Sequence, residues 1–341
     1  MFNMQDERPV WAPPASFVEA LRAALPEEWE LIEVSAPVSG RGDGHGVSEE
    51  ALHAIRGAEI YFGLGLPREL LLAGLAAPAR LRWVHTGAAG VRSLLHPELL
   101  NSGVTLTNSA GIHAEPIADT VLGMMLHFAR GLDIAVRAQQ RREWRSDLYE
   151  SRDGGVRELA GATLGIIGYG GIGRAVARRA HALGMNVIAL RRSAATDDDP
   201  IADVRSGDDQ LERLLRESDF LVVTVPSTAE TRGMIGAPEL AAMKPHAVII
   251  NVARGDVVGE TALIEALRRC TLRGAGLDVF THEPLAAESP LWDLPNVLIT
   301  PHVSATSPRY WEREGELILD NLERYLTGRE LRNVVDPAAG Y

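Results

Sequence analysis

Short apolar runs alternate with amphipathic stretches along most of this chain, and length and spacing tell the two apart. Residues 164–167 form an apolar run long enough for a buried strand and too short for a helix. Ile172, Val176 and Ala180 follow on one helical face, and residues 186–190 supply the next apolar run. The same alternation precedes this unit. Phe17, Ala20, Leu21 and Ala24 predict an amphipathic helix, 31–34 a strand, 49–56 a helix and 59–62 a strand. A helix at 68–74 and strands at 81–85 and 104–107 come next. A short strand at 8–11 is also expected, although Pro9, Pro13 and Pro14 weaken it. Residues 39–46, SGRGDGHG, read as a flexible loop, because no helix start or ligand cluster accompanies them.

Further on, Ile117, Val121, Met124, Met125 and Phe128 sit at helical spacing within 113–130, with the methionines as core. Residues 137–153 are charged and end in Gly154 and Gly155, which reads as a connection. Helices are expected at 210–216, 260–269 and 308–326, and strands at 220–225, 247–252, 276–279 and 297–300. Such alternation predicts parallel sheets flanked by helices. The expected fold class is α/β: two Rossmann-like or flavodoxin-like doubly wound parallel-sheet domains separated by a cleft. Residues 1–112 and 306–341 would make one domain and 113–305 the other.

Composition changes this picture little. The 341 residues suffice for two domains with real cores. A hydrophobic fraction of 46% and a charged fraction of 23% are those of an ordinary globular chain. The net charge of −12 argues against a broad nucleic-acid-binding surface. No window of about 18 apolar residues predicts a membrane span. The first residues lack the basic and apolar regions of a secretory signal. Cys270 stands alone, so no internal disulfide forms, and a small buried or half-buried thiol at a helix end is expected. A cytoplasmic protein is the default expectation. No His/Cys/Asp cluster has metal-ligand spacing, so no metal is expected.

Candidate chemistry begins at Gly168, Gly170 and Gly173, a G-x-G-x-x-G that follows a strand and opens a helix. One glycine makes the tight turn, one lets backbone approach a pyrophosphate, and one packs helix on strand. The helix N-terminus then offers unpaired N–H groups to phosphate. The segment formed by Gly168, Tyr169, Gly170, Gly171, Ile172 and Gly173 is therefore a candidate dinucleotide site. At the end of the next strand stand Arg191 and Arg192, with no acid until Asp197. A carboxylate there would suit the ribose hydroxyl of NAD, whereas arginines suit the phosphate of NADP. NADP is the expected cofactor, with NAD as the alternative.

Three later segments each end a strand with a polar residue: NVARGDVV with Arg254, DVFTHEPL with Glu283 and TPHVSA with His302. Ligands of open α/β sheets bind beyond the carboxyl ends of strands, so these three residues are placed to meet. The run from Leu164 to His302 resembles the D-2-hydroxyacid dehydrogenase family. Beyond the glycine motif it shares PSTAETRGMI, MKPHAVIINVARG, GAGLDVFTHEPL and LPNVLITPHVSA, and the tail NLERYLTGRELRNVVDP is similar too. HTGAAGV and TNSAGIHAEPIAD match more loosely in the N-terminal module.

The resemblance implies reversible hydride transfer between NADP(H) and a small 2-oxo or D-2-hydroxy acid. The glyoxylate/hydroxypyruvate reductase branch is the expected one. Arg254 would bind the substrate carboxylate and polarise its carbonyl, and His302 would be the general acid. Glu283 would orient that imidazole and favour its protonated form. Ala89 and Gly90 would offer backbone N–H groups to the carboxylate, while Pro226, Thr231, Val252 and Asp278 would line the cofactor side. The C-terminal and N-terminal segments would form the substrate domain, the middle the dinucleotide domain, and a homodimer is implied. Two positions depart from the family pattern. Arg191 lies 18 residues after Gly173, where NAD-linked relatives carry aspartate, and Asp119 stands where many members have glutamate. An NAD-linked enzyme of the phosphoglycerate dehydrogenase kind and a dinucleotide-sensing corepressor remain the alternatives.

Overall fold

The computed structural model describes residues 1–35, 47–150, 156–192, 199–207 and 209–336. The glycine-rich loop expected at 39–46, together with Gly154, Gly155 and Asp197, lies outside the described residues. The chain divides into two units, Met1–His113 with Thr306–Tyr341, and Ala114–Ala305.

The first unit runs β1 (Phe2–Asn3), α1 (Ala15–Ala23), α2 (Glu49–Ile55), β2 (Ile60–Gly63), α3 (Arg68–Leu75), β3 (Trp83–Thr86), α4 (Pro97–Leu100) and β4 (Thr105–Asn108). Its strands pair in parallel in the order β1-β2-β3-β4. Glu33 adds a bridge outside Phe2, and Val334 bridges Thr107 on the far edge. Counting the Glu33 bridge as the second strand gives the flavodoxin-like order, in which the chain winds both ways from the first strand.

Two expectations are corrected in this unit. Residues 8–11 form a turn, in which Trp11 and Ala12 donate to the Arg8 carbonyl at 2.9 and 3.1 Å. Pro9 has no N–H for a ladder, and the edge strand falls at Phe2–Asn3 instead. The strand expected at 31–34 shrinks to one bridge, held by Phe2 N to Ile32 O and Val34 N to Phe2 O. The helix at 15–23 forms as predicted, but Val18 replaces Ala20 on its buried face.

The second unit runs α5 (Ala114–Ala129), α6 (Leu132–Arg141), α7 (Asp147–Glu150), β5 (Thr163–Ile167), α8 (Gly171–Ala182), β6 (Asn186–Leu190), β7 (Asp203–Arg205), α9 (Asp209–Glu217), β8 (Phe220–Val223), α10 (Ala237–Ala242), β9 (Val248–Asn251), α11 (Glu260–Arg268), β10 (Gly274–Leu277) and β11 (Val297–Ile299). The strands pair in parallel in the order β11-β10-β9-β8-β5-β6-β7. This is the Rossmann order, with its reversal between β5 and β8. The chain then returns to the first unit through α12 (Tyr310–Leu326).

The core explains the composition of these strands. β8 and β9 are buried throughout and read FLVV and VIIN, as strands covered on both faces do. In β10, GAGL, the glycines make room for α5. A Cβ on Gly276 would lie 2.7 Å from Met124 Sδ, and one on Gly274 would lie 2.6 Å from Phe128. The methionines are therefore core, as expected. Glu115 and Asp119 on α5 pair with Arg178 and Arg179 on α8. Residues 137–153 are corrected as well, since α6 and α7 occupy much of them. Trp144 is exposed there, and the apolar residues of α6 that mark it as a helix, Leu132 and Val136, lie before residue 137. Cys270 is exposed, not buried. It takes φ 55° just past α11, where its N–H and that of Thr271 close the helix onto the carbonyls of Leu267 and Ala266.

Candidate active site

Register brings the predicted residues to one edge of the second unit's sheet. Leu190, Ile167, Val223, Asn251, Leu277 and Ile299 lie side by side at the strand ends. Gly168, Arg191, Thr224, Val252, Asp278 and Thr300 therefore leave the sheet together. Hydrogen bonds continue the ladder one step further, from Gly168 N to Leu190 O and from Thr224 N to Ile167 O. Asp278 N to Asn251 O and Thr300 N to Leu277 O extend it on the other side.

The three motif glycines have separate structural reasons. Gly168 has φ 101°, and a Cβ there would meet Thr224 and Val225 backbone at 2.9 Å. Gly173 packs so closely that a Cβ would lie 2.2 Å from the Gly168 carbonyl oxygen. Gly170 caps α8, and nothing lies within 4 Å of its Cβ position. Open space before a twelve-residue helix N-terminus is what a pyrophosphate requires. The residues present thus fit a dinucleotide. Tyr169, by contrast, turns its side chain into the core. Its hydroxyl donates to Asp199 at 3.0 Å and Arg174 lies over its ring, while burial pushes the phenol up to about 12. Val252 is also in the core, so both residues face the edge through backbone alone.

Arg191 follows β6 directly, its N–H bonded to the Arg205 carbonyl, and Arg192 lies exposed 4.0 Å from Glu230. Across the reversal, Pro226 and Thr231 belong to one turn. The Thr231 hydroxyl donates to the Pro226 carbonyl and accepts from Thr228 N, so it is occupied within the turn. Asp256 ties this turn to the segment of Arg254, accepting from Ser227 Oγ at 2.7 Å and Arg232 Nε at 3.3 Å.

His302 and Glu283 are joined. The imidazole Nδ1 lies 2.6 Å from Glu283 Oε2, and both side chains are 35% exposed. Glu283 Oε1 accepts from Phe280 N at 3.0 Å, which fixes the carboxylate. With Nδ1–H donating to Glu283, Nε2 is left toward solvent. His302 itself has φ 54°, an unfavourable left-handed conformation for a non-glycine residue. Asp278 supplies the compensation. Its fully buried carboxylate accepts from Thr300 Oγ1, Val303 N, Ser304 N and Ser304 Oγ. A buried charge this well satisfied is stable and rigidifies the loop that presents the imidazole. That bracing function could not be read from the sequence.

Arg254 is exposed, and its guanidinium donates to the Ala253 carbonyl at 2.6 Å. Among the described residues, no carboxylate pairs with it. Asn251 clamps its backbone, donating to the Arg254 carbonyl and accepting from Ala253 N. Gly255 allows the segment to press on the Glu283 loop, for a Cβ there would sit 1.9 Å from the Phe280 carbonyl carbon.

In the first unit, Ala89 and Gly90 follow β3 and are exposed. The carbonyls before them are occupied. Ser109 Oγ approaches the Thr86 carbonyl, Ser109 N donates to Ala88 O, and Asn108 Nδ2 donates to Ala89 O. The N–H groups of Ala89 and Gly90 meet no acceptor among the described residues. Adjacent free N–H groups of this kind form an anion receptor. Among the described residues no group of acids, histidines and cysteines could hold a metal ion, and no helix is long and apolar enough to cross a membrane.

Fold and site together define a dinucleotide-binding oxidoreductase. Residues 122–304 match the family model "D-isomer specific 2-hydroxyacid dehydrogenase, NAD binding domain". A glyoxylate/hydroxypyruvate reductase B of Pectobacterium atrosepticum is 40% identical over 259 residues, covering 76% of this chain and 80% of that protein. The structure of a D-isomer specific 2-hydroxyacid dehydrogenase from Xanthobacter autotrophicus, in complex with NADPH and MES, has TM-score 0.78 and 31% identity, and the match covers 95% of each chain. An NADPH-dependent glyoxylate/hydroxypyruvate reductase from Sinorhizobium meliloti, solved with NADP and sulfate, has TM-score 0.75 and 30% identity over 96% of this chain and 97% of that one. The chain belongs to the D-isomer-specific 2-hydroxyacid dehydrogenase family. It is an oxidoreductase acting on the CH–OH group of 2-hydroxy acids and, in reverse, on 2-oxo acids.

Proposed function

We propose that this enzyme reduces a small 2-oxo acid of the glyoxylate or hydroxypyruvate kind with NADPH. The observation that carries the reading is the His302–Glu283 pair, held at 2.6 Å on a loop braced by Asp278. Arginines after β6, where NAD-linked enzymes place an acid, support NADP, as do the NADPH and NADP complexes of the two structural relatives. The names of the relatives support the substrate class.

Bound at the glycine turn and the N-terminus of α8, a reduced dinucleotide would supply the hydride for this reaction. Arg254 holds the substrate carboxylate with its two-pronged cation and draws charge toward the carbonyl oxygen. The N–H groups of Ala89 and Gly90 are proposed to offer hydrogen bonds to a substrate carboxylate. His302 gives the proton on Nε2 to the oxygen as negative charge develops there, and takes it back in the oxidative direction. Glu283 keeps Nδ1–H engaged, so that Nε2 is the nitrogen that works. Asp278 keeps the imidazole on station.

The test follows loss of reduced-nicotinamide absorbance with glyoxylate, hydroxypyruvate, pyruvate and a branched 2-oxo acid, with NADPH and NADH in parallel. NADPH-dependent turnover of the small acids should fall about a hundredfold or more in His302→Gln. Equal rates with both dinucleotides would refute the NADP assignment. No turnover of any of these acids would refute the reaction. A homodimer is also proposed, supported by exposed Leu126, Leu132, Val136 and Trp144 on and after α5. Light scattering on the eluted protein would refute it by returning a monomer mass.

A further inference from the structure

Beneath the Ala89–Gly90 segment lies a buried acid that the proposed mechanism does not use. Glu314, on α12, has no solvent exposure, and neither has His85 on β3. His85 Nε2 lies 3.1 Å from Glu314 Oε1, and Nδ1 lies 2.9 Å from Thr107 Oγ1. Trp83 Nε1 donates to the same Thr107 oxygen at 2.8 Å. A carboxylate oxygen only accepts, so Nε2–H donates to Glu314, while the Thr107 hydroxyl has both His85 Nδ1 and, at 3.5 Å, the Val84 carbonyl within reach. The second approach comes from Ser109, whose hydroxyl lies 3.0 Å from Glu314 Oε1 and 2.9 Å from the Thr86 carbonyl.

Burying a carboxylate is costly, and an apolar residue of the same volume is often the more stable choice. Glu314 Oε2 makes no hydrogen bond of good geometry, and the buried Tyr310 hydroxyl is near enough that the carboxylate, after burial itself, helps to push the phenol well above its usual value. Tyr310, one helical turn before it, points a buried hydroxyl toward Gly87, and a Cβ on Gly87 would lie 2.8 Å from that oxygen. Tyr310 thus reaches the start of the segment 87–90, and Glu314 reaches it through His85 and Ser109. Its carbonyls are held by Ser109 and Asn108, and its outward N–H groups are the ones left without acceptors.

We propose that Glu314 is a positioning residue for substrate binding: through Ser109 and His85 it sets the backbone that turns the Ala89 and Gly90 N–H groups toward the substrate's carboxylate. The inference rests on the reading of Ala89 and Gly90 given above. Ser109 is the link, because its hydroxyl touches Glu314 and the Thr86 carbonyl, and its N–H holds the Ala88 carbonyl at 3.2 Å. Without the acid, Ser109 keeps the Thr86 carbonyl but loses one of the two acceptors that hold its hydroxyl, and His85 loses the partner of Nε2, so the segment loses a tether. A grip on the carboxylate is made equally in ground and transition states, so its loss raises KM and leaves kcat.

The experiment compares Glu314→Leu, which removes both oxygens, with Glu314→Gln, which keeps one acceptor. Glu314→Leu should raise KM for glyoxylate about tenfold, with kcat and the KM for NADPH within about twofold. Glu314→Gln should restore most of the loss. Ser109→Ala should show the same split, and it decides the matter if Glu314→Leu fails to fold. Amide exchange is read in parallel: Ala88 and Ser109 should exchange faster in Glu314→Leu, while Thr224 in the other unit is unaffected. Unchanged exchange, or an equal rise in both KM values, overturns the role of Glu314. Faster exchange with an unchanged KM for glyoxylate overturns the assignment of Ala89 and Gly90 instead. If the unaltered enzyme reduces no 2-oxo acid, the proposed reaction falls, and the exchange result alone decides whether Glu314 sets this backbone.

Discussion

Gly255→Ala is the smallest change that should disable the site without touching a reacting group. A methyl group added there would lie 1.9 Å from the Phe280 carbonyl carbon, 2.2 Å from its oxygen and 2.3 Å from Thr281 N. Those atoms are backbone, so no side chain can rotate away. Ordinary contact starts at 3.4 Å, so the two segments would have to part by about 1.5 Å. One carries Arg254, and the other anchors Glu283 through Phe280 N. Overpacking of this order costs ~1–3 kcal/mol of stability, which a unit of this size can absorb. Catalysis is less tolerant, since a displacement of about 1 Å between reacting groups can cost about a hundredfold. Steady-state kinetics with glyoxylate should show kcat down by about that factor. Titration of NADPH fluorescence should show cofactor affinity nearly unchanged, because the glycine turn at Gly168 to Gly173 is untouched. An enzyme that keeps kcat within about threefold would show that the two loops need not be in register, and the reasoning would fail.

Asp278→Asn puts an amide among donors from Thr300, Val303 and Ser304, so it should cost ~1–3 kcal/mol and release His302 from its left-handed conformation. A fall in kcat of about tenfold or more is expected, and an unchanged kcat in folded protein would count against the brace. Arg191→Ala combined with Arg192→Ala should lower the NADPH-to-NADH ratio of kcat/KM at least about tenfold, each charge-assisted bond to a phosphate being worth ~1.5–3 kcal/mol. An unchanged ratio would return the assignment to NAD. Asp219 sits where burial would raise its carboxyl, yet Thr163 N, Lys244 and His246 hold it below its usual 3.8. A depressed folded-state value stabilises the fold above 3.8 and loses that contribution as pH falls through the folded value. Asp219→Asn should therefore lower the urea midpoint near neutral pH and approach the parent protein in strong acid. A constant difference across that range would contradict the sign.

The position of the candidate catalytic residues was readable because of where strands end. Arg254, Glu283 and His302 follow apolar runs, and a parallel sheet exposes its ligand-binding groups just past such runs. The glycine motif was readable for a similar reason, since its spacing encodes a turn and a close approach within a single strand–helix unit. What supports these residues was not readable, because it depends on register between distant segments. Asp278 meets Thr300 and Ser304 only because Leu277 pairs with Ile299. Gly255 is obligatory only because the Phe280 backbone crosses it. Edge elements were missed on other grounds: β1 has two residues and β7 three, too few for a period to show. α6 was missed because its apolar stripe is short, Leu132 and Val136 sharing one exposed face, and the span that follows from Arg137 is mostly polar and charged. The same division applies to Glu314. On a helix pattern it is one more acid, and only the folded unit shows it buried against His85 and Ser109, two residues separated from it by more than two hundred positions. Sequence pattern thus finds groups whose position follows from local structure, whereas groups that act through a neighbour become visible only when the neighbour is in place.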